Sequence, residues 1–222
     1  MGLINLYNMD CMEAMAKMPD KAFELAIVDP PYGIGWDGEN TTMSAGMRKN
    51  GTQRKMKSWN NPVPKEYVKK EWDNNTPNKI YFDELRRVSR KQIIWGGNYF
   101  TLPPARCFIV WDKCISEDFS LAMGELAWTS FDKLAKIIQI PTPKNGDKIH
   151  PTQKPVKLYK WLLKNYAKPE YKIIDTHLGS GSSAIAAYDF GINEFVGCEI
   201  DTEYFEAAKH RFEIHKMQQV LF

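Results

Sequence analysis

Short apolar runs alternate along this chain with stretches of helical spacing, and that alternation sets the expected fold. Leu3–Asn8 reads as a strand. Asp10-Cys11-Met12-Glu13 has the D-x-x-E form of a capping box and opens a helix through about Met18, which Pro19-Asp20 breaks. The run from Phe23 to Val28 reads as a buried strand ending at Asp29-Pro30-Pro31-Tyr32. From Gly33 to about Asn61 no period holds, so the pattern predicts a long loop. Helical spacing returns over Ile80–Arg90, with Tyr81, Leu85 and Val88 on one face. Ile93-Ile94-Trp95 and Cys107–Trp111 read as strands, and Leu126–Phe131 with Lys136–Ile140 as a hairpin across Asp132-Lys133. A helix is predicted from Pro155 to about Tyr166, followed by strand Tyr171–Ile174, loop Asp175–Gly181 and helix Ser182–Phe190. Strand Glu194–Ile200 and a helix from Thr202 to about Gln218 complete the chain. Strands alternating with helices predict a mostly parallel sheet covered on both faces, in a single domain over 1–222.

Composition adds two points. Cys11, Cys107, Cys114 and Cys198 show no metal-ligand spacing, and no run is apolar enough to suggest a secretory leader or membrane span. A reducing, cytoplasmic protein with free thiols and no metal is expected. The net charge is only +3, but it is uneven. Between Gly33 and Lys79 nine Lys or Arg face five acids. Trp36, Trp59 and Trp72 stand among these charges. Aromatic rings interleaved with cations suit a nucleic-acid contact, and Trp36, Arg48, Lys49, Arg54, Lys55 and Lys57 are its candidates. A solvated insertion whose tryptophans anchor it to the core gives the same composition.

The chemistry lies at strand ends. In Asp29-Pro30-Pro31-Tyr32 each proline fixes φ and removes an N–H, which leaves a stiff corner with a carboxylate, free carbonyls and a flat ring. That corner can grip an amino group on an aromatic ring. Taken alone it is also an ordinary strand end with a solvated acid. The loop Asp175-Thr176-His177-Leu178-Gly179-Ser180-Gly181 has the glycines of a nucleotide-binding turn before a helix, without the full dinucleotide or phosphate-loop patterns. Glu199, about twenty residues after those glycines, stands where an acid takes ribose hydroxyls. A ribose acid without a pyrophosphate loop points to a nucleoside cofactor lacking phosphates, and S-adenosylmethionine fits.

Together with His150-Pro151-Thr152-Gln153-Lys154-Pro155, the corner and the loop resemble the amino-group DNA methyltransferases. More narrowly they resemble the permuted β class, adenine-N6 type, in which the catalytic motif precedes the cofactor motif. The resemblance covers nearly the whole chain. It implies a Rossmann-like, seven-stranded, mostly parallel sheet with helices on both faces and one antiparallel strand, the class I S-adenosylmethionine-dependent methyltransferase fold. Residues 33–79 would be the DNA-contacting insertion and 150–222 the cofactor-binding part. Double-stranded DNA is the implied partner. A homodimer is an assembly common in the class, and a restriction endonuclease partner is left open.

The catalytic set implied is Asp29, Pro30, Pro31 and Tyr32. Asp29 and the Pro30 carbonyl would accept the amino hydrogens of an extruded base, and Tyr32 would stack on it. Asp10 would hold the cofactor's adenine and Glu199 its ribose. Asp175 and the backbone from His177 through Leu178, Gly179 and Ser180 to Gly181 would hold the methionine end. Cys11, Ser182 and Ile200 line the same implied site, and Lys154 would close it. Departures are His177, where the family usually has Phe and where a loop histidine without special duty is equally readable, and Ser182-Ser183 for Thr-Thr. Within the class, N4-cytosine methylation is the nearest rival, but those enzymes more often carry Ser at the position of Asp29. RNA adenosine enzymes tend to carry Trp at the position of Tyr32. A catalytically idle DNA-binding module of the same fold is the remaining alternative.

Overall fold

Strand β2 (Phe23–Val28) shows how the pattern becomes a sheet. Leu25 and Ile27 join the core on one face, Ala26 and Val28 the core on the other, and all four are buried. Burial on both faces requires helices on both faces. The computed structural model of the chain describes residues 2–35, 70–117, 122–143 and 148–219. In chain order the other elements are β1 (Leu3–Asn8), α1 (Cys11–Ala16), α2 (Lys79–Val88), β3 (Ser89–Trp95), β4 (Phe108–Asp112), β5 (Gly124–Thr129) and β6 (Lys136–Gln139). They continue with α3 (Val156–Tyr166), β7 (Lys172–Asp175), α4 (Ser182–Phe190), β8 (Glu194–Glu199) and α5 (Thr202–Gln219).

The strands form one sheet in the order β1-β8-β7-β2-β3-β5-β4-β6. β5 pairs antiparallel with β3 and β4, and every other neighbouring pair is parallel. This is the expected α/β architecture with one strand more than the expected seven, since β6 adds to the free edge beside β4. α1 and α2 cover one face through Met15, Tyr81, Phe82, Leu85 and Val88. α3, α4 and α5 cover the other through Leu158, Leu162, Ala184, Ile185, Ala208 and Phe212. Each fully buried Leu or Ile in these layers contributes roughly 1.5–3 kcal/mol.

Two expectations need correction. Leu126–Phe131 and Lys136–Ile140 do not form a hairpin with each other, because β4 lies between the two strands. The link passes around the start of β4, where Thr129 Oγ1 donates to the Cys107 carbonyl (2.9 Å) and the Phe131 ring packs 5.0 Å from that of Tyr166. The apolar spacing identifies the two strands but not their neighbours. The strand expected at Ile93 also begins earlier, at Ser89, which pairs with Phe23. The Ser89 hydroxyl closes the end of α2 on the Leu85 carbonyl (2.5 Å), so helix passes to strand without a loop.

β7 lies between β8 and β2, in register through Ile174↔Val196 and Ala26↔Ile174. From β7 the chain winds through α4 to β8 on one side, and from β2 through α2 to β3 on the other. Such a reversal opens a crevice at the carboxyl ends of the strands. The corner after β2, the glycine loop after β7 and Glu199 at the end of β8 all meet there.

Candidate active site

The corner Asp29–Tyr32 emerges from β2 into a half-buried charge cluster centred on a buried lysine. Lys154, 3 % exposed, reaches from the segment before α3 to Asp29 Oδ2 (2.5 Å) and Glu125 Oε2 (2.9 Å). Glu125 comes from β5 and is bridged again by Lys113 from beyond β4 (2.6 Å). The Tyr32 hydroxyl donates to Asp29 Oδ1 (2.7 Å). Burial pushes the Asp29 carboxyl up from its usual range, Lys154 opposes the rise and the Glu125 charge adds to it. Burial likewise raises Glu125, but Lys154 and Lys113 outweigh it and hold that carboxyl at about 2. Lys154 therefore stays charged between two acids, against the cost of its burial.

Tyr32 is packed tightly. Its ring lies against the backbone of Gly96, where an added Cβ would fall 2.2 Å from Cε1, and Gly96 is left-handed at φ 70°. Only glycine suits that position. The ring also stacks on Tyr99 at 4.9 Å and 14°, and Tyr99 itself is 44 % exposed. Pro30 and Pro31 have no N–H to donate, and the Pro30 carbonyl accepts no hydrogen bond among the described residues.

The glycine loop is built from Asp175. Its carboxylate accepts from His177 N (3.1 Å) and from Ser183 Oγ (2.6 Å), and burial pushes it up to about 7. Gly181 caps α4 at φ 71°, with an added Cβ only 3.2 Å from Ala208 Cβ. Ser180 and Ser182 are buried, and Arg211 of α5 donates through Nη1 to the Ser180 carbonyl (2.7 Å) and to Ser182 Oγ (2.9 Å). Leu178 is buried, and its N–H bonds to the Cys198 carbonyl at 2.9 Å. Glu199 accepts from Gly179 N (2.8 Å) and Asp201 N (3.0 Å), and Ile200 beside it is 66 % exposed. Asp10 caps α1, accepting from Met12 N (2.7 Å) and Glu13 N (3.2 Å) through one oxygen. Its second oxygen bonds to nothing among the described residues. Burial pushes the Cys11 thiol up to about 12. His177 lies edge-on to Tyr81 at 5.3 Å, and burial holds its ring neutral with a pKa of about 4.

The crevice thus brings together the expected residues of the corner, the loop and the β8 end. Trp36, Arg48, Lys49, Arg54, Lys55 and Lys57 lie outside the described residues. Three residues here were not singled out from the sequence: Glu125, Asp73 and Arg211. The one local signal was Glu125, a charge directly before the apolar run expected at Leu126–Phe131. Asp73, buried and accepting from Tyr32 N (2.7 Å) and Gly33 N (3.0 Å), stood hidden in the basic stretch.

His150 gives a pH prediction. Its ring lies 4.3 Å from that of Tyr204 and 5.3 Å from that of Trp72, and Nδ1 accepts from Thr152 N (3.3 Å). Burial, then the Lys154 charge, lowers its pKa from 6.5 to about 3. The unfolded chain takes this proton below 6.5 and the folded one only near 3, so the group removes stability as pH falls between them. The loss approaches about 1.4 kcal/mol per pH unit. His150→Asn removes this dependence, so the stability of the variant rises relative to wild type as pH drops from 7 to 4. Denaturant melts of both proteins across that range check it.

A family description reading "DNA methylase" (N6_N4_Mtase) matches residues 67–210. YubD of Escherichia coli (strain K12), named as a methylase, is 25 % identical over 213 residues, covering 91 % of this chain and 87 % of that one. Among solved structures, the M1.HpyAVI–SAM complex superposes with a TM-score of 0.58 at 18 % identity, covering 94 % of this chain and 100 % of that one. The PvuII DNA methyltransferase (cytosine-N4-specific) gives 0.58 at 15 %, covering 95 % and 86 %. At these identities the two structures establish the shared fold.

Proposed function

Because this chain belongs to the DNA methylase family of N6/N4 type, we propose that it methylates the N6 amino group of adenine in double-stranded DNA, with S-adenosylmethionine as donor. The observation that carries the reading is the meeting of the half-buried Asp29 corner with the Asp175–Gly181 loop and Glu199 across β2, β7 and β8. The donor set fits a phosphate-free nucleoside cofactor. Glu199 offers carboxylate oxygens for hydroxyls, Asp10 keeps an unused oxygen, and Ile200 offers an exposed apolar surface for a ring. When bound, S-adenosylmethionine supplies an electrophilic methyl group. Asp175 and the backbone from His177 to Gly181 would hold its amino-acid end, and Cys11, Leu178 and Ser182 would line the same site.

The chain's own residues prepare the acceptor. The amino nitrogen of adenine is weakly nucleophilic because its lone pair is delocalised into the ring. Asp29 accepts one amino hydrogen and the Pro30 carbonyl the other, which localises that lone pair. Pro31 stiffens the corner. The base reaches the face of Tyr32 now covered by Tyr99, after extrusion from the duplex at a cost of a few kcal/mol. Positive charge developing on the amino nitrogen is stabilised by Asp29, and Glu125 offsets the opposing charge of Lys154. Lys154 therefore serves the corner as well as closing the pocket. Residues 33–79 supply the DNA contact and 150–222 the cofactor part of one catalytic unit. Asp at position 29 favours adenine over cytosine.

Incubation of the purified protein with methyl-tritiated S-adenosylmethionine and either duplex DNA or RNA tests the reading. Incorporation into DNA is expected. Tight DNA binding with no incorporation into either polymer points instead to an idle module.

A further inference from the structure

We infer that Asp73 is a positioning residue that sets the direction of the corner Asp29–Tyr32 from a strut anchored on the cofactor side of the cleft. This rests on the reading of that corner as the methyl-acceptor site. The two prolines remove the N–H groups at positions 30 and 31, so the first backbone donors after Asp29 are those of Tyr32 and Gly33. One oxygen, Asp73 Oδ1, takes both, at 2.7 and 3.0 Å. The Asp73 carbonyl also accepts from Gly35 N at 3.1 Å. Asp73 is 3 % exposed, so water does not readily replace it.

The residues before Asp73 are braced away from the corner. Lys70 Nζ lies 2.6 Å from Asp201 Oδ2 and 2.7 Å from Glu203 Oε2, at the start of α5, and 4.3 Å from the centre of the Tyr204 ring. Trp72 packs on His150, which in turn packs on Tyr204. Asp201 donates its N–H to Glu199, which also holds Gly179 N. Contacts therefore run from the glycine loop through Glu199 and Asp201 to Lys70, and the short turn Glu71–Asp73 carries the link along the chain to Asp73 and the Tyr32 backbone. Reacting groups displaced by about an ångström lose rate steeply, so a fixed corner matters more for turnover than for binding.

Two variants test this. Asp73→Asn keeps an oxygen acceptor in place, whereas Asp73→Leu has similar volume and none. Amide hydrogen exchange at Tyr32 and Gly33, read by NMR on the ligand-free protein, reports the contact without any activity. Single-turnover methyl transfer and cofactor titration report its consequence. In Asp73→Leu both amides lose protection, transfer slows by about ten- to a hundred-fold, and cofactor affinity is unchanged. Asp73→Asn keeps most of both the protection and the rate. Leucine-variant transfer at the wild-type rate overturns the inference, whatever the exchange shows. So does an asparagine variant as slow as the leucine one, or a leucine variant that does not fold, since the role claimed is local. A wild-type protein that transfers no methyl group overturns the functional reading instead, leaving the exchange data to judge the contact.

Discussion

Asp29→Ala lowers single-turnover methyl transfer by on the order of 10²–10³-fold, the scale seen when one preorganised electrostatic partner of a transition state is removed. Cofactor affinity stays at the wild-type value. The variant is expected to fold, because Glu125 remains 2.9 Å from Lys154 and 3.3 Å from the Tyr32 hydroxyl, so neither polar group is stranded. On the proposed reading, what disappears is the acceptor for the amino hydrogen and the negative charge that would face the methylated nitrogen. Rapid-quench assays with labelled methyl donor measure the first quantity and calorimetric titration the second. The wild-type rate itself falls as pH drops through the Asp29 pKa, which burial places above the usual carboxylate range.

Lys154→Met is expected to have the largest effect on stability. Lys154 is 3 % exposed and is the cation shared by Asp29 and Glu125. Removing the buried cation of an ionic group costs about 3–5 kcal/mol where the charge left behind is uncompensated, and here that charge is Asp29, because Lys113 stays 2.6 Å from Glu125. For a chain of this length that lowers the melting temperature by roughly 10 °C. The pH dependence identifies the cause. With the lysine gone, the Asp29 carboxyl is favoured in protonated form in the fold but not in the unfolded chain. The folded state then binds the extra proton, so the deficit shrinks as pH falls toward the ordinary carboxylate range. Melts at pH 5 and pH 8 decide it: the gap to wild type narrows at pH 5 if charge is responsible and stays constant if lost packing is.

Much of this site could be read from the chain because its parts are short, local and punctuated by prolines and glycines. Asp29-Pro30-Pro31-Tyr32 and Asp175–Gly181 each follow a strand whose apolar run is unmistakable, and β2 and β7 pair as the motif order requires. What could not be read were partnerships across the sheet. Lys154 stood in a recognisable motif, but its two acids come from β2 and β5, and nothing local connects them. Glu125 fell just before the strand expected at Leu126–Phe131, and its meaning depends on β5 lying beside β3, whereas the spacing suggested a hairpin with β6. Asp73 was counted among the charges of a basic stretch, and only the folded chain puts it under Tyr32, 41 residues away in sequence. The Tyr99 ring that stacks on Tyr32 likewise became visible only in the folded chain, where the Tyr32 ring lies against Gly96.

The central claim is that the Asp29 corner directs a methyl group to the N6 nitrogen of adenine in DNA. The most direct measurement uses trideuteromethyl-labelled S-adenosylmethionine, duplex DNA and the purified protein, with enzymatic digestion and mass spectrometry of the nucleosides. Deuterated N6-methyldeoxyadenosine is expected in the wild-type reaction and none above background with Asp29→Ala. Deuterated N4-methyldeoxycytidine as the product, or N6-methyldeoxyadenosine formed equally well by Asp29→Ala, would contradict it.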